Sequence, residues 1–117
     1  MKKIIYFLAS LFIISCSSKN CDEIPSKFNS YEQAINEIQN SSFEFQESTS
    51  KSSSWINDAI YYSCDMKTGF LIIETSKQEY IHKDVPIKVW KEFNNSSSLG
   101  KYYNQNIKHK FQLYLEK

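Results

Sequence analysis

The sequence predicts a small α+β domain: a short antiparallel β-meander with an N-terminal helix and two C-terminal helices packed on one face. Three observations lead to this prediction. A capped amphipathic pattern comes first, short polar turns then divide an aromatic-rich region into runs of strand length, and two further helical patterns follow. The turns are too short for parallel crossovers, so the strands should be antiparallel.

The first 15 residues combine a short basic start with an apolar run. Two lysines precede an uncharged apolar run from Ile4 to Ile14, which is shorter than the roughly 20 residues of a membrane-spanning helix. The run leads into the motif IISC, which resembles a lipobox, so residues 1–15 have the pattern of a bacterial lipoprotein signal peptide. Cys16 is then the predicted lipidation site, with palmitate-type acyl chains as the membrane anchor. A plain N-terminal anchor or a secreted, uncleaved core helix is the alternative.

The other two cysteines are Cys21 and Cys64. Once Cys16 is assigned to the lipid, they remain as a pair in an exported, oxidising setting, where disulfides persist. A bridge would close a loop of about forty residues and add roughly 4 kcal/mol in the chain-entropy account. We therefore expect a Cys21–Cys64 disulfide, with two free thiols as the alternative.

The chain after the signal divides into three parts. Residues 16–29 comprise the lipidated cysteine and a stretch with the composition of a tether. Residues 30–52 form an N-terminal helix-and-strand extension, and residues 53–117 form the main domain. About a hundred residues in all are enough for one domain and too few for two.

Local signals place the elements of the extension. Ser30 with Gln33 makes a capping box, and apolar side chains then recur at helical spacing until about Asn40. Phe43 and Phe45 alternate with polar residues and predict a short strand. The serine-rich stretch that follows predicts a loop.

The main domain begins with three predicted strands, at residues 55–62, 70–73 and 79–82. Pro86 then begins a helix, where its missing N–H costs nothing, and Ser98 can cap a last helix. Apolar and polar residues alternate in the tail, 111–115, which would pair as an edge strand.

Residues 53–111 carry short motifs in a characteristic order. They are Ser53-Ser54, Ile56, Tyr61, Tyr80-Ile81-His82, Val85-Pro86, Ser98, Gly100, Tyr102-Tyr103-Asn104 and Ile107-Lys108. This pattern resembles the KTSC domain, a family found alone in bacterial and phage proteins and at the C-terminus of some lysyl-tRNA synthetases. His82 stands where the family's Tyr-x-Tyr motif has its second tyrosine. The resemblance implies no catalytic residues, and it suggests nucleic-acid binding only by analogy.

The sequence offers few groups for catalysis. His82 and His109 are the only histidines, and no glycine-rich phosphate loop, G-x-S-x-G or H-E-x-x-H motif is present. A small envelope enzyme could use His82 with Asp84, but a solvent-facing histidine on an edge strand is the simpler interpretation. We therefore expect no enzyme activity, no cofactor and no metal.

A single-stranded RNA-binding domain is the other alternative, because lysines such as Lys101, Lys108 and Lys110 alternate with aromatic residues near the C-terminus. Arginine is absent, however, and the chain after residue 15 has 12 lysines against 13 acidic residues. The absence of the planar guanidinium, the near-neutral charge and the predicted export all argue against nucleic acid.

The function expected from these patterns is a lipid-anchored, non-catalytic binding or interaction module at the bacterial cell envelope. Its partner would be an unidentified envelope protein or ligand. The expected binding residues are Tyr80, His82, Gly100, Tyr103, Asn104 and Lys108. We expect His82 and Asn104 to line one exposed patch, although Gly100 and Asn104 could instead serve only the fold.

Overall fold

An antiparallel sheet with helices on both faces forms the centre of the computed structural model, which describes residues 19–115. The elements in chain order are β1 (Lys19–Asn20), a 3-10 turn (Cys21–Glu23), α1 (Tyr31–Gln39), β2 (Ser41–Ser42), β3 (Phe45–Ser48), β4 (Ile56–Ser63), β5 (Thr68–Thr75), β6 (Glu79–Pro86), α2 (Ile87–Asn94) and α3 (Leu99–Asn106). One helix before the sheet and two after it confirm the predicted α+β class.

The sheet has the order β3-β4-β5-β6 and therefore one strand more than the predicted three-stranded meander. The additional strand, β3, belongs to the N-terminal extension and pairs antiparallel with β4, with Phe45 opposite Ser63. The Phe45 ring also lies edge-on to Tyr61, at a centroid distance of 6.1 Å. The extension is thus continuous with the main sheet.

The two faces of the sheet carry separate layers of core. Successive strand residues point to opposite faces, so Leu71 and Ile73 pack with α2 and α3, whereas Ile72 packs with α1. The two C-terminal helices therefore share one face, as predicted, and α1 covers the other. This explains why the apolar run in β5 is continuous: the strand is buried on both sides.

The predicted helix caps are present. Ser30 Oγ accepts a hydrogen bond from the Gln33 amide at 3.0 Å, and Ser98 Oγ accepts one from the Lys101 amide at 3.2 Å. The Gln33 side chain returns to the amide of Asn29, at 2.7 Å, one residue before the cap itself. Pro86, predicted as the first helical residue, is instead the N-cap residue of α2, which begins one position later at Ile87.

The predicted disulfide is also present. Cys21 is bonded to Cys64, with the two Cα atoms 5.8 Å apart. Residues 19–29 of the expected tether are packed against the domain: Phe28 is buried, and its backbone pairs with that of Leu115. Cys16 and the predicted signal peptide lie outside the described residues. No helix within residues 19–115 is long and apolar enough to cross a membrane.

The C-terminal tail lies along the outer edge of β6, where it forms isolated bridges and not a regular strand. The sequence predicted edge pairing for the tail but named no partner strand. His82 and Gln112 form an antiparallel bridge, and the Lys83 amide donates to the Phe111 carbonyl at 3.0 Å. Leu113 is buried in the core layer on the α1 side of the sheet. The tail therefore covers the edge of β6 that would otherwise face solvent.

Candidate functional site

A groove with a volume of about 1000 Å³ runs along β6, between the start of α1, the end of α3 and the tail. Three exposed tyrosines line it: Tyr31, Tyr80 and Tyr114, with 51%, 39% and 75% of their surface accessible. Among residues 19–115, the only other exposed large hydrophobic side chain is Met66. We call this site the tyrosine groove.

The remaining lining of the tyrosine groove is mixed. Its apolar part includes Ile35, Ile81 and Leu113. Its polar part consists of the amides of Asn36, Gln78 and Gln112, the carboxylates of Glu32 and Glu79, and Lys108 and His109. Two carboxylates against one lysine leave the site with little net charge, so it does not favour a highly charged ligand.

A buried polar pair, His82 and Tyr103, borders this groove. His82 Nε2 and the Tyr103 hydroxyl oxygen are 2.8 Å apart and hydrogen-bonded, and the two rings meet edge-on at 5.2 Å. Both side chains are at least 95% buried. His82 Nδ1 has no hydrogen-bond partner of acceptable geometry among residues 19–115. An uncompensated buried nitrogen of this kind makes the charged ring costly.

Burial determines the protonation state of this pair. It lowers the pKa of His82 to about 4, and the Phe111 backbone, which acts in the opposite direction, offsets only part of the shift. Burial likewise raises the pKa of Tyr103 to about 12, with a smaller contribution from Tyr80. At neutral pH the imidazole is therefore uncharged, and the Tyr103 hydroxyl keeps its proton.

The expectation of a solvent-facing His82 is wrong, because the tail lies beside β6 and Tyr103 packs on the ring. The proposed pairing of His82 with Asp84 is not formed either. The pairing of β5 with β6 shifts register near this point, and Asp84 is exposed with a left-handed φ of 59°. His82 and Val85 both pack on the α3 side, so the alternation that would put His82 and Asp84 on one face is interrupted.

The six expected binding residues divide between two grooves. Tyr80, His82, Tyr103 and Lys108 line the tyrosine groove. Gly100 and Asn104 instead line a second groove of about 620 Å³, rich in serine. The expectation that His82 and Asn104 share one exposed patch is therefore wrong.

Trp55 lies between the two grooves, and its ring explains why position 100 is a glycine. The Trp55 ring lines the serine-rich groove and meets the Tyr103 ring edge-on at 5.5 Å. A Cβ atom at position 100 would lie 2.5 Å from Trp55 Nε1, closer than real Cβ contacts. Gly100 is thus required for close packing, which was the alternative role considered for it.

The aromatic residues suggested for nucleic-acid stacking are not displayed together. Tyr103 is buried, and Tyr102 is half-buried with its hydroxyl donated to Glu92 at 2.8 Å. Of the three tyrosines suggested for stacking, Tyr102, Tyr103 and Tyr114, the last alone presents an exposed ring. A stacking platform needs several accessible ring faces, and α3 does not provide one. Within residues 19–115 no three metal-binding side chains cluster either.

Two residues of the tyrosine groove were not foreseen as part of one site. Tyr31 fitted the apolar pattern of α1, and Tyr114 fitted an edge strand. The available signal was position: Tyr31 lies at the N-terminal end of the apolar stripe of α1, and Tyr114 alternates with the apolar residues of the tail.

Comparison with known protein families identifies the main domain. The model of the KTSC domain matches residues 52–111, 60 of the 117 residues. This chain belongs to the KTSC domain family. No curated protein and no solved structure shows a significant match to it.

Several residues of the KTSC pattern have structural roles here. The Tyr61 hydroxyl donates to the Val85 carbonyl at 2.7 Å, and the Tyr61 ring stacks on Trp90 at 5.5 Å. Ser53 Oγ accepts from the Ile56 amide and so orders the entry to β4. The tyrosine groove, by contrast, combines KTSC residues with α1 and with the tail beyond residue 111, which lie outside the match.

Proposed function

We propose that this KTSC protein is a lipid-anchored, non-catalytic binding module of the bacterial cell envelope, and that the tyrosine groove is its binding site. The observation that carries the proposal is the convergence of Tyr31, Tyr80 and Tyr114 on one groove. Clustered exposed aromatic surface is uncommon on a small domain and is typical of binding sites.

The lining of the groove indicates the chemistry of the ligand. Each tyrosine offers an apolar ring face and a hydroxyl, and the amides around them can donate and accept hydrogen bonds. The charged side chains nearly balance. These groups fit an uncharged ligand that has apolar faces together with hydroxyl or amide groups.

The state of His82 supports a non-catalytic role. A general base must reach the proton that it removes, and its pKa should lie near the working pH. The His82 ring is buried, its Nε2 is engaged by Tyr103, and its pKa is about 4. This ring is suited to holding β6 and α3 together.

Export is supported by the signal pattern and by the Cys21–Cys64 disulfide, since such bonds persist in oxidising compartments. Lipidation can be tested directly by mass spectrometry of the N-terminal peptide from cells fed with labelled palmitate. We expect an acylated Cys16 and a membrane-bound protein that Cys16→Ser releases. An unmodified Cys16 would contradict the anchoring.

Binding can be tested with the soluble Cys16→Ser protein. Purified cell-wall polymer and lipid-free envelope protein, both immobilised, are incubated separately with this protein and with its Tyr80→Ala, Tyr114→Ala and Met66→Ala derivatives. We expect one fraction to retain the parent and Met66→Ala, whereas each groove variant binds about tenfold more weakly, equivalent to about 1.4 kcal/mol.

Met66 is the matched control, because its 44% exposure is close to the 39% of Tyr80 but it lies outside the groove. Equal retention of all four proteins would refute the groove as the site. Salt-sensitive retention on single-stranded RNA would instead support the nucleic-acid alternative.

A further inference from the structure

We propose that the disulfide end of the sheet rests against the membrane, so that the tyrosine groove opens away from the bilayer. This orientation rests on the lipidation of Cys16 in the proposed function. It goes further because it assigns a membrane-facing surface and determines from which side a ligand reaches the groove.

The first step is the length of the segment from Cys16 to Lys19, which is the part of the expected tether that precedes the β1–β2 ladder. The described part of the chain begins at Lys19, which pairs with Ser41 in the β1–β2 ladder. Whatever their conformation, the three residue steps from Cys16 to Lys19 span at most about 11 Å. A domain of about a hundred residues has a radius of gyration of about 13 Å. The tether is therefore too short for the domain to turn freely above the membrane.

The second step is where this tether attaches. Two residues after Lys19, Cys21 is bonded to Cys64, which directly follows the last residue of β4. Cys64 begins the β4–β5 turn, and Thr68 at the start of β5 lies opposite Pro86 at the end of β6. The anchor therefore holds the end of the sheet that carries this turn.

The third step is the position of the groove. Tyr80 lies opposite Ile73, five residues along β5 from Thr68, which corresponds to about 17 Å of strand. The helix α1 ends beside β2, next to the anchored segment, so Tyr31 at its start lies about 12 Å away along the helix. Both tyrosines are thus at the end of the molecule remote from the disulfide.

The chemistry of the β4–β5 turn fits a membrane surface. Met66 is 44% exposed at the turn with a left-handed φ of 64°, and of the exposed large hydrophobic residues in the described range it alone lies outside the groove. Asp65 Oδ1 holds the turn by accepting from the amides of Lys67 and Thr68. The turn therefore presents a flexible apolar side chain beside a lysine, a combination suited to the headgroup region.

The orientation predicts different lipid contacts for the two ends. A photo-crosslinking benzoylphenylalanine replaces either Met66 or Tyr114 in the full-length protein, which is lipidated in cells and illuminated in isolated membranes. We expect at least tenfold more lipid adduct from position 66 than from position 114. Equal yields, or more adduct at position 114, would overturn the orientation.

A longer tether tests the physical cause. Inserting twelve glycine and serine residues between Ser18 and Lys19 should lower the lipid adduct at position 66 to the level at position 114. An unchanged adduct would refute the tether as the cause. Acylation of Cys16 is measured in the same samples: its absence defeats the proposed function itself, whereas acylation without lipid adduct at position 66 defeats only the orientation.

Discussion

At the scale of single residues, the surroundings of His82 determine at which pH its ring takes up a proton. The ring lies between the tail and α3. Its Nε2 is hydrogen-bonded to the Tyr103 hydroxyl, whereas its Nδ1 has no hydrogen-bond partner among the described residues. The folded state therefore resists protonation at a pH where the unfolded chain, with a histidine pKa of about 6.5, accepts a proton.

This difference predicts that stability depends on pH. The contribution of neutral His82 is fully present above about pH 6.5 and is lost as the pH falls towards the folded pKa of about 4, because the unfolded state then binds more protons. We expect the free energy of unfolding to fall by about 2–3 kcal/mol between pH 7.5 and pH 4.5 from this residue alone.

Urea unfolding at these two pH values measures the effect. In His82→Gln the difference between them should largely disappear, whereas in His109→Gln, where the histidine is exposed, it should persist. A His82→Gln protein with the full pH dependence would show that other groups cause it.

Gly100 supports a second prediction at this scale. Gly100→Ala should destabilise the protein by about 1–3 kcal/mol, because the new methyl group overlaps the Trp55 ring. Trp55→Leu leaves room at Nε1, so the double variant should lose less than the sum of the two single losses. This double-mutant cycle is measured by urea unfolding of the parent protein, the two single variants and the double variant. Losses of stability that simply add would contradict the contact between position 100 and Trp55.

The sequence alone was sufficient to predict the helix caps and the disulfide, but not the burial of His82. The caps at Ser30 and Ser98 are predicted from residues no more than three positions away. The pairing of Cys21 with Cys64 follows because the third cysteine is assigned to the lipid. The burial of His82 depends on Gln112, thirty residues later along the chain. No local pattern contains that information.

At the scale of elements, the tail was predicted as an edge strand from only five residues. Its alternation is real: Leu113 is buried beside Ile81, and Tyr114 projects into the tyrosine groove. Sequence alternation, however, does not specify the partner of a strand. The same limitation applies to β3, whose existence was predicted but whose place beside β4 was not.

Substitutions at neighbouring residues of the tail should therefore have very different effects on stability. Leu113→Ala removes a buried side chain and should cost about 2–4 kcal/mol, since the cavity beneath it cannot fully close. Tyr114→Ala removes an exposed ring and should change stability by less than about 0.5 kcal/mol. Chemical unfolding separates these outcomes, and equal costs would mean that the tail does not pack in this register.

At the scale of the whole molecule, the family match and the folded unit have different boundaries. The KTSC match begins at residue 52, but α1 covers one face of the sheet and β3 extends it. Tyr62, Ile72 and Ile81 pack in the layer that α1 shields. Without the extension, that apolar face of the sheet would be exposed to water.

We therefore predict that residues 52–117 alone do not form a stable domain in this protein, whereas residues 21–117 do. The longer fragment keeps the Cys21–Cys64 bond, α1 and β3, and it should unfold cooperatively in urea. The shorter fragment loses one of its two core layers. Burial is worth about 25 cal/mol for each Å² of apolar surface, and a small domain has only about 5–15 kcal/mol of net stability to lose. The fragment 52–117 should show no cooperative transition and should bind a hydrophobic dye. A sharp transition with dispersed amide resonances would contradict the prediction and would show that the KTSC domain folds independently of the extension.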